Sequence, residues 1–443
     1  MHEEPKALLR RAILDCLPIL QRLVPRCVVP HQVWRKTQDG GWLGQVVMRP
    51  DPDQVLAAAG KVVDTLGGPF AESFLRHHPD YNGRVGLEGL GYYSDLGHDV
   101  NRILRAALYD LWHRQGTFGL LEAAIESLVD EFEAFVDKPT VPFVFRSVLV
   151  NFEAAADSID LPAGLRIRRM SDQEMATLYG PVPPFGMLPR PTGLGIHEFC
   201  IEGEAEQLKA LPPAGGGNQP ARDRGRVRAS LDRVILALRT FKEGRVGCDY
   251  IRFHPLRFCP LLIPSAGFGD LYAPPGNYSL RTDELYALGE HARLVFAMSD
   301  PSMEIACSRL ADAETRLKPQ DQLFDAVVGM EALLLAGLGQ DARRGELRFR
   351  FSLHYSILFD TPEERYKAYC VAKHLYDLRS MVVHGAALQE KTLRLGNEEL
   401  TLAEAAQRAC GALRHLVHHF LPTEKQAPYK RSDFWERAYF GLP

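Results

Sequence analysis

Arg379 and His384 stand five positions apart in the stretch Leu375-Tyr376-Asp377-Leu378-Arg379-Ser380-Met381-Val382-Val383-His384-Gly385, near the end of an expected helix. An arginine guanidinium is a planar fork of donors that matches a phosphate, and histidine is the side chain whose ordinary pKa lets it exchange protons near neutrality. Cleavage of RNA by its own 2′-hydroxyl needs a proton acceptor, a proton donor for the leaving 5′-oxygen and positive donors around the non-bridging oxygens; it needs no metal. The pair is a minimal kit for that chemistry. On an ideal helix five positions correspond to about 140° of rotation and about 7.5 Å of rise, so the two side chains do not share a face as an i,i+4 pair does.

Other residues fall into supporting places. Tyr376, three positions before the arginine, stacks on a base, orients the guanidinium, or fills the core. Ser380 offers a hydroxyl beside it. Glu331 interrupts an otherwise apolar helix face, Met330-Glu331-Ala332-Leu333-Leu334-Leu335, and a lone carboxylate there needs a partner. Arg379 is the partner the residues point to, which makes Glu331 an orienting group and not an acid. The plain alternative is structural: the arginine pairs with Glu331 or Asp377, and the histidine bonds the last carbonyls of its helix before a capping glycine. Arg343, Arg344, Arg348 and Arg350, with Arg365 and Lys367, form the best candidate RNA-binding cluster, against the ordinary reading of a solvated helix face.

An R-x4-H element followed by glycine resembles the signature of HEPN domains, and LYDLRSMVVHG is similar to the Apea-like branch of that superfamily. Upstream, the run Phe324 to Leu335 resembles the family's LEALLL helix, and Glu346 to Phe359 resembles its second helix. The segment Val141 to Tyr179 is similar to one that these proteins carry before the HEPN unit. The resemblance is strong over 281–443, weaker over 141–280, and does not extend to 1–140. It implies a homodimer in which two such helices meet and line one cleft with their Arg379 and His384 side chains. It further implies metal-independent endoribonuclease activity, in prokaryotic stress or anti-phage defence, with the N-terminal part sensing an unidentified activator. One position departs from the pattern: many active HEPN nucleases place Asn, Asp or His after the arginine, where this chain has Ser380. The other reading is a HEPN module without cleavage, which binds RNA, nucleotide or a protein partner, or serves as a dimerisation scaffold.

Composition sets outer limits. The chain has 443 residues, 46% hydrophobic and 24% charged, which is ordinary for a soluble globular protein and too long for one small domain. No apolar run approaches the length of a membrane span, and the acidic start Met1-His2-Glu3-Glu4 lacks the apolar core of a signal peptide, so a cytoplasmic protein with no membrane partner is expected. Eight cysteines are scattered without a C-x-x-C pair, and reduced, mostly buried thiols follow. A net charge of −4, with 16 Lys/Arg against 16 Asp/Glu over 321–443, means that any grip on RNA is local. His415, His418 and His419 sit at i, i+3 and i+4, but no acidic or cysteine ligand has a matching spacing, and His77-His78 offers less still. Neither a metal nor a cofactor is expected. Phosphate-loop, serine-hydrolase and zinc-protease motifs are absent.

The elements that must position the pair follow from periodicity and breakers. Residues 6–24 read as one or two short helices, with Pro18 as a kink or break. Helices are also expected over 53–66 and 96–136, the latter broken at Gly116 and Gly119, with a loop over 83–97. From 141 to 168 the runs turn β-rich. Proline- and glycine-rich loops lie at 181–191, 212–220 and 264–276, around a helix at 227–241 and a strand-like stretch at 247–264. Helices are then expected at 282–299, 302–317, 320–337, 343–359, 362–385 and 400–421, with Leu323, Val327, Met330 and Leu334 on one apolar stripe and a Thr401/Glu404 capping box starting the last. The fold class expected is mainly α, α+β overall: a mostly helical 1–140, a mixed α/β 141–280, and a helical 281–443 forming an up-and-down bundle of the HEPN kind.

Overall fold

Pro18 does not break the first helix. Residues Glu3–Leu23 run as one helix because the proline is exposed to solvent while Leu17 and Leu20 beside it are buried, so packing outweighs the lost backbone bond. The structure, a computed structural model, describes residues 2–36, 42–82, 84–87, 92–95, 101–172, 174–175, 196–210, 225–261, 276–337, 344–384, 393–395 and 398–442. The three proline- and glycine-rich loops expected from sequence lie almost wholly outside them. It is mostly helical, with some antiparallel sheet.

In chain order the helices are α1 (Glu3–Leu23), α2 (Pro52–Ala58), α3 (Gly60–His77), α4 (Asn101–Gln115), α5 (Glu122–Asp137), α6 (Gly225–Phe241), α7 (Leu285–Ala297), α8 (Pro301–Thr315), α9 (Pro319–Leu334), α10 (Arg344–Ser356), α11 (Pro362–Val383), α12 (Leu402–Phe420) and α13 (Ser432–Tyr439). The strands are β1 (Val28–Lys36), β2 (Trp42–Pro50), β3 (Arg84–Leu87), β4 (Tyr92–Asp95), β5 (Thr140–Val150), β6 (Phe152–Ala154), β7 (Ser158–Asp160), β8 (Arg166–Arg169), β9 (Phe199–Ala210), β10 (Gly247–Pro255), β11 (Tyr278–Leu280), β12 (Leu393–Leu395) and β13 (Glu398–Leu400). The chain forms two compact units: residues 1–148, 164–229 and 249–268 in the first, and 149–163, 230–248 and 269–443 in the second. Segments of 141–280 contribute to both.

In the first unit, helices α1 to α5 share a core around Leu9, Ile13, Phe70, Phe74 and Phe132. The chain leaves α4 at Gly116, whose φ of 69° is a left-handed conformation that glycine adopts without strain. Two features depart from the sequence reading. Strands β1 and β2 form an antiparallel hairpin within the expected helical region, and β3 pairs with β4 where the glycine- and tyrosine-rich composition reads as loop. Short strands satisfy their backbone by pairing with a neighbour, which composition alone does not reveal. The main sheet runs β10-β5-β9-β3-β4, with β8 antiparallel to β9. Register places Arg146 and Arg166 on either side of Glu202, which also accepts from Arg168. Burial alone would raise the Glu202 carboxyl, but these arginines bring it down to about 2.

The second unit holds the helices that carry Arg379 and His384. All six of the expected C-terminal helices are present, within a few residues of the expected ends. Three of the six starts have side-chain caps: Asp300 accepts from the backbone of Ser302 and Met303, and Thr361 and Thr401 form capping boxes with Glu364 and Glu404. Leu323, Val327, Met330 and Leu334 are fully buried, so the stripe on α9 is the middle of the core. Gly329 lets α12 come close, since a Cβ there would lie 2.5 Å from Leu413 Cδ2. The polar excursion after α11 contains the small antiparallel pair β12–β13.

The C-terminal segment closes this unit by specific bonds. Tyr429 donates to Asp300 at 2.8 Å, Lys430 pairs with the same carboxylate, and buried Glu424 accepts from the backbone of Ser299 and Asp300. Trp435 stacks on His354 with ring centres 4.2 Å apart, and His354 donates from Nδ1 to the Leu334 carbonyl at 2.6 Å. Six of the eight cysteines are buried and two half-buried, and none is in a disulfide. Among the described residues no helix is long and apolar enough to cross a membrane.

Gly337 reads from sequence as a helix stop, yet its neighbour gives it a second constraint: a Cβ would meet the Lys430 carbonyl oxygen at 2.5 Å. Backbone cannot step aside as a side chain can. Gly337→Ala is expected to destabilise the protein by about 1–3 kcal/mol, the usual cost of overpacking, measured by chemical denaturation against Gly289→Ala, whose added carbon meets nothing within 4 Å and whose backbone is helical.

Candidate functional site

The site residues come from two helices of the second unit. Helix α11 starts at the Thr361 capping box with Pro362 in its first turn, and it ends at His384, whose backbone N–H donates to the Ser380 carbonyl at 3.1 Å. Its buried face is Ala368, Ala372, Leu375 and Leu378. Arg379 follows that face and turns to α9, where Nη2 donates to Glu331 Oε2 at 3.1 Å. The partner chosen from sequence is therefore the one in contact. The other candidate, Asp377, pairs with Arg348 of α10.

Phe324 was not singled out by the sequence reading. Its ring lies beneath the guanidinium, with Arg379 Cζ 5.8 Å from the centroid, a cation over an aromatic face. The available signal was spacing, because seven positions before Glu331 is two turns up the same side of α9. Arg379 Nε is buried and has no hydrogen-bond partner among the described residues. Tyr376 packs on the core, 5.3 Å from the Phe351 ring, so it is at least a core aromatic. Ser380 is half-buried beside it.

His384 is exposed at the helix end, and its imidazole makes no hydrogen bond among the described residues. Gly385, the expected cap, lies outside them. The structure thus joins Arg379, Glu331, Tyr376 and Phe324 in one half-buried cluster and leaves His384 at the open end of the same helix. Electrostatics separate the members further. Burial raises the Glu331 carboxyl above its ordinary 4.5, and Arg379 only partly offsets that. Burial, and then the Glu331 charge, push the Tyr376 phenol up.

The basic cluster is less free than its composition suggests. Arg348 pairs with Asp377, Arg350 donates to Glu346 at 3.1 Å, and Arg365 donates to the Phe359 carbonyl at 2.7 Å. Arg343 and the side chain of Arg344 lie outside the described residues. The histidines of α12 have separate partners: His415 stacks on Phe359, His418 bonds the Thr240 carbonyl, and His419 lies against Phe420. His77 bonds the Ser73 carbonyl at 2.8 Å. Among the described residues no group of three or more ligating side chains is placed to hold a metal ion.

Compared with known family models, with curated proteins and with solved structures, the chain matches none.

A carboxyl raised on folding stabilises the fold fully below its unfolded value of 4.5 and loses that contribution as pH rises through its folded value. Glu331→Gln keeps the shape and a hydrogen-bond acceptor for Arg379 but cannot ionise. The variant is expected to melt above the wild type at pH 8, with the gap closing towards pH 4.5. Calorimetric melts across that range check it; a variant that melts lower at pH 8 contradicts it.

Proposed function

We propose that the chain is a metal-independent endoribonuclease of the HEPN type, with Arg379 and His384 as its charge-handling residues. The observation that carries this reading is their arrangement on α11. Arg379 is held half-buried against Glu331 and Phe324, while His384 stands exposed and unengaged at the helix end. About 140° of helix rotation separates them, so one chain offers an incomplete set and two copies of α11 side by side offer a full one. In that arrangement Arg379 takes a phosphate oxygen, and the two His384 side chains serve as proton acceptor and donor. Glu331 and Tyr376 orient the guanidinium, and Ser380 adds a hydroxyl. The unit that carries the pair is mostly helical, which agrees with this reading without being particular to it. A role in prokaryotic stress or anti-phage defence rests on the sequence resemblance alone.

A second reading has its own support. Arg348 and Arg350 are both in ion pairs, and Arg379 itself carries a counter-ion, which suits a module that binds RNA, nucleotide or a protein partner without cutting, or one that only dimerises.

Sedimentation at micromolar concentration is expected to give a homodimer, and a strict monomer with or without RNA would remove the composite site. Arg379→Ala and His384→Ala are each expected to abolish RNA cleavage while stability stays within about 1–2 kcal/mol of the wild type. Unfolding of both variants supports the structural alternative instead. Cleavage is expected to persist in EDTA, to leave 2′,3′-cyclic phosphate ends, and to spare a substrate with 2′-deoxyribose at the scissile position. Magnesium-dependent 5′-phosphate products place the chemistry elsewhere.

A further inference from the structure

Two acids on α9 are drawn into the core, and they are satisfied very differently. Asp325, 2% exposed, accepts from Arg309 at 2.8 Å and from Arg316 at 2.6 Å, one arginine on each oxygen. Among the described residues Glu331 has one bond, 3.1 Å from Arg379 Nη2. Arg379 is equally under-used: its fork makes this single contact, its Nε is buried without a partner among the described residues, and an aromatic ring lies below it. Guanidinium and carboxylate ordinarily meet in two parallel bonds, so this pair is loosely made on both sides.

We propose that Glu331 is the resident counter-ion of Arg379, a carboxylate that a phosphate displaces when it binds. This deepens the endoribonuclease reading and rests on it for the identity of the anion. The physical argument is exchange. An RNA phosphodiester carries the same single negative charge as a carboxylate, but its two non-bridging oxygens can take two N–H donors of the fork at once, whereas Glu331 as placed here takes one. Once Arg379 turns to the phosphate, Glu331 is left half-buried without its cation, and a partly desolvated carboxylate without a cation takes up a proton more readily. Anion binding is therefore coupled to proton uptake at Glu331.

Among the described residues, cations on the elements packed against α9 are already engaged, Arg348 of α10 with Asp377 included. On α11 the other titratable neighbour is Tyr376, which is neutral. From α8, Arg309 and Arg316 are committed to Asp325; from α12, Arg414 is committed to Glu314; from the 428–430 turn, Lys430 is committed to Asp300. From α10, His354 is bonded to the Leu334 carbonyl, and burial holds its imidazole below its usual range.

Two measurements test the exchange. Brief phenylglyoxal treatment at fixed pH, read by mass spectrometry at the Arg379 peptide, is expected to proceed several-fold faster in Glu331→Gln than in wild type, with inorganic pyrophosphate protecting Arg379 in both. Equal or slower modification in the variant overturns the proposal. Calorimetric titration of the full chain with a 2′-O-methyl oligoribonucleotide, which binds without being cut, is expected to show net proton uptake near neutral pH. The uptake is read from buffers of different ionisation heat and needs no variant. Glu331→Gln is expected to bind about ten-fold more tightly with that uptake gone. Weaker binding by the variant, or wild-type binding without proton uptake, makes Glu331 a positioning residue only and overturns the exchange. Pyrophosphate protection of Arg379 with no oligonucleotide binding at all sinks the endoribonuclease reading and leaves the counter-ion intact.

Discussion

Helix α9 passes through the middle of the second unit, and Asp321 is the residue along it that remains exposed. That constraint governs the rest of the unit. A helix wrapped on nearly all sides contributes its apolar residues to one core and must find partners for whatever polar groups it carries. Its neighbours adapt accordingly: α12 approaches over Gly329, α8 supplies two arginines for Asp325, and α11 supplies one for Glu331. The doubly paired acid is a structural joint. The singly paired one lies beside the helix end where the expected chemistry lies, and its loose pairing is what makes Arg379 available to another anion.

Several of the described cationic side chains are paired with acids of the same chain, and the net charge is −4. In the first unit, three arginines converge on Glu202 and tie β5, β8 and β9 together. In the second, Arg348, Arg350, Arg414 and Lys430 each have an acidic partner. A surface of this kind gives little of the long-range attraction that draws a polyanion to a basic face. On the proposed reading, recognition of RNA would depend on close contacts at a few donors and on a second copy to complete the cleft. Arg379, with its incomplete pairing, fits that economy better than the cluster on α10 does.

The two ends of α11 show how a helix positions chemistry. Its start is rigidly defined by the Thr361 and Glu364 capping box, and its buried face seats it on the core. Residues near its end therefore have set directions: Arg379 towards α9, His384 outward. The separation of the two within one chain is a property of helical geometry. It is also the strongest physical reason to look for a dimer.

Much of this was legible in the residues. Apolar periodicity located the C-terminal helices, because a 3.6-residue repeat is imposed by the single face each helix buries. Proline and glycine breakers marked their boundaries, the Thr401/Glu404 capping box located the start of the last, and a carboxylate alone on an apolar face called for the arginine it meets. Other features could not be read in this way. Pro18 sits inside a continuous helix, since whether a proline breaks a helix depends on what its neighbours bury. The strands β3 and β4 exist because each finds the other, and pairing is a long-range fact that a local composition of glycine and tyrosine hides. Spending Arg348 on Asp377 and Arg350 on Glu346 required the helices to be placed first. Sequence determined which groups the chain has and which faces they occupy; tertiary structure decided which charges neutralise one another, because that depends on distances of a few ångströms between residues far apart in the chain.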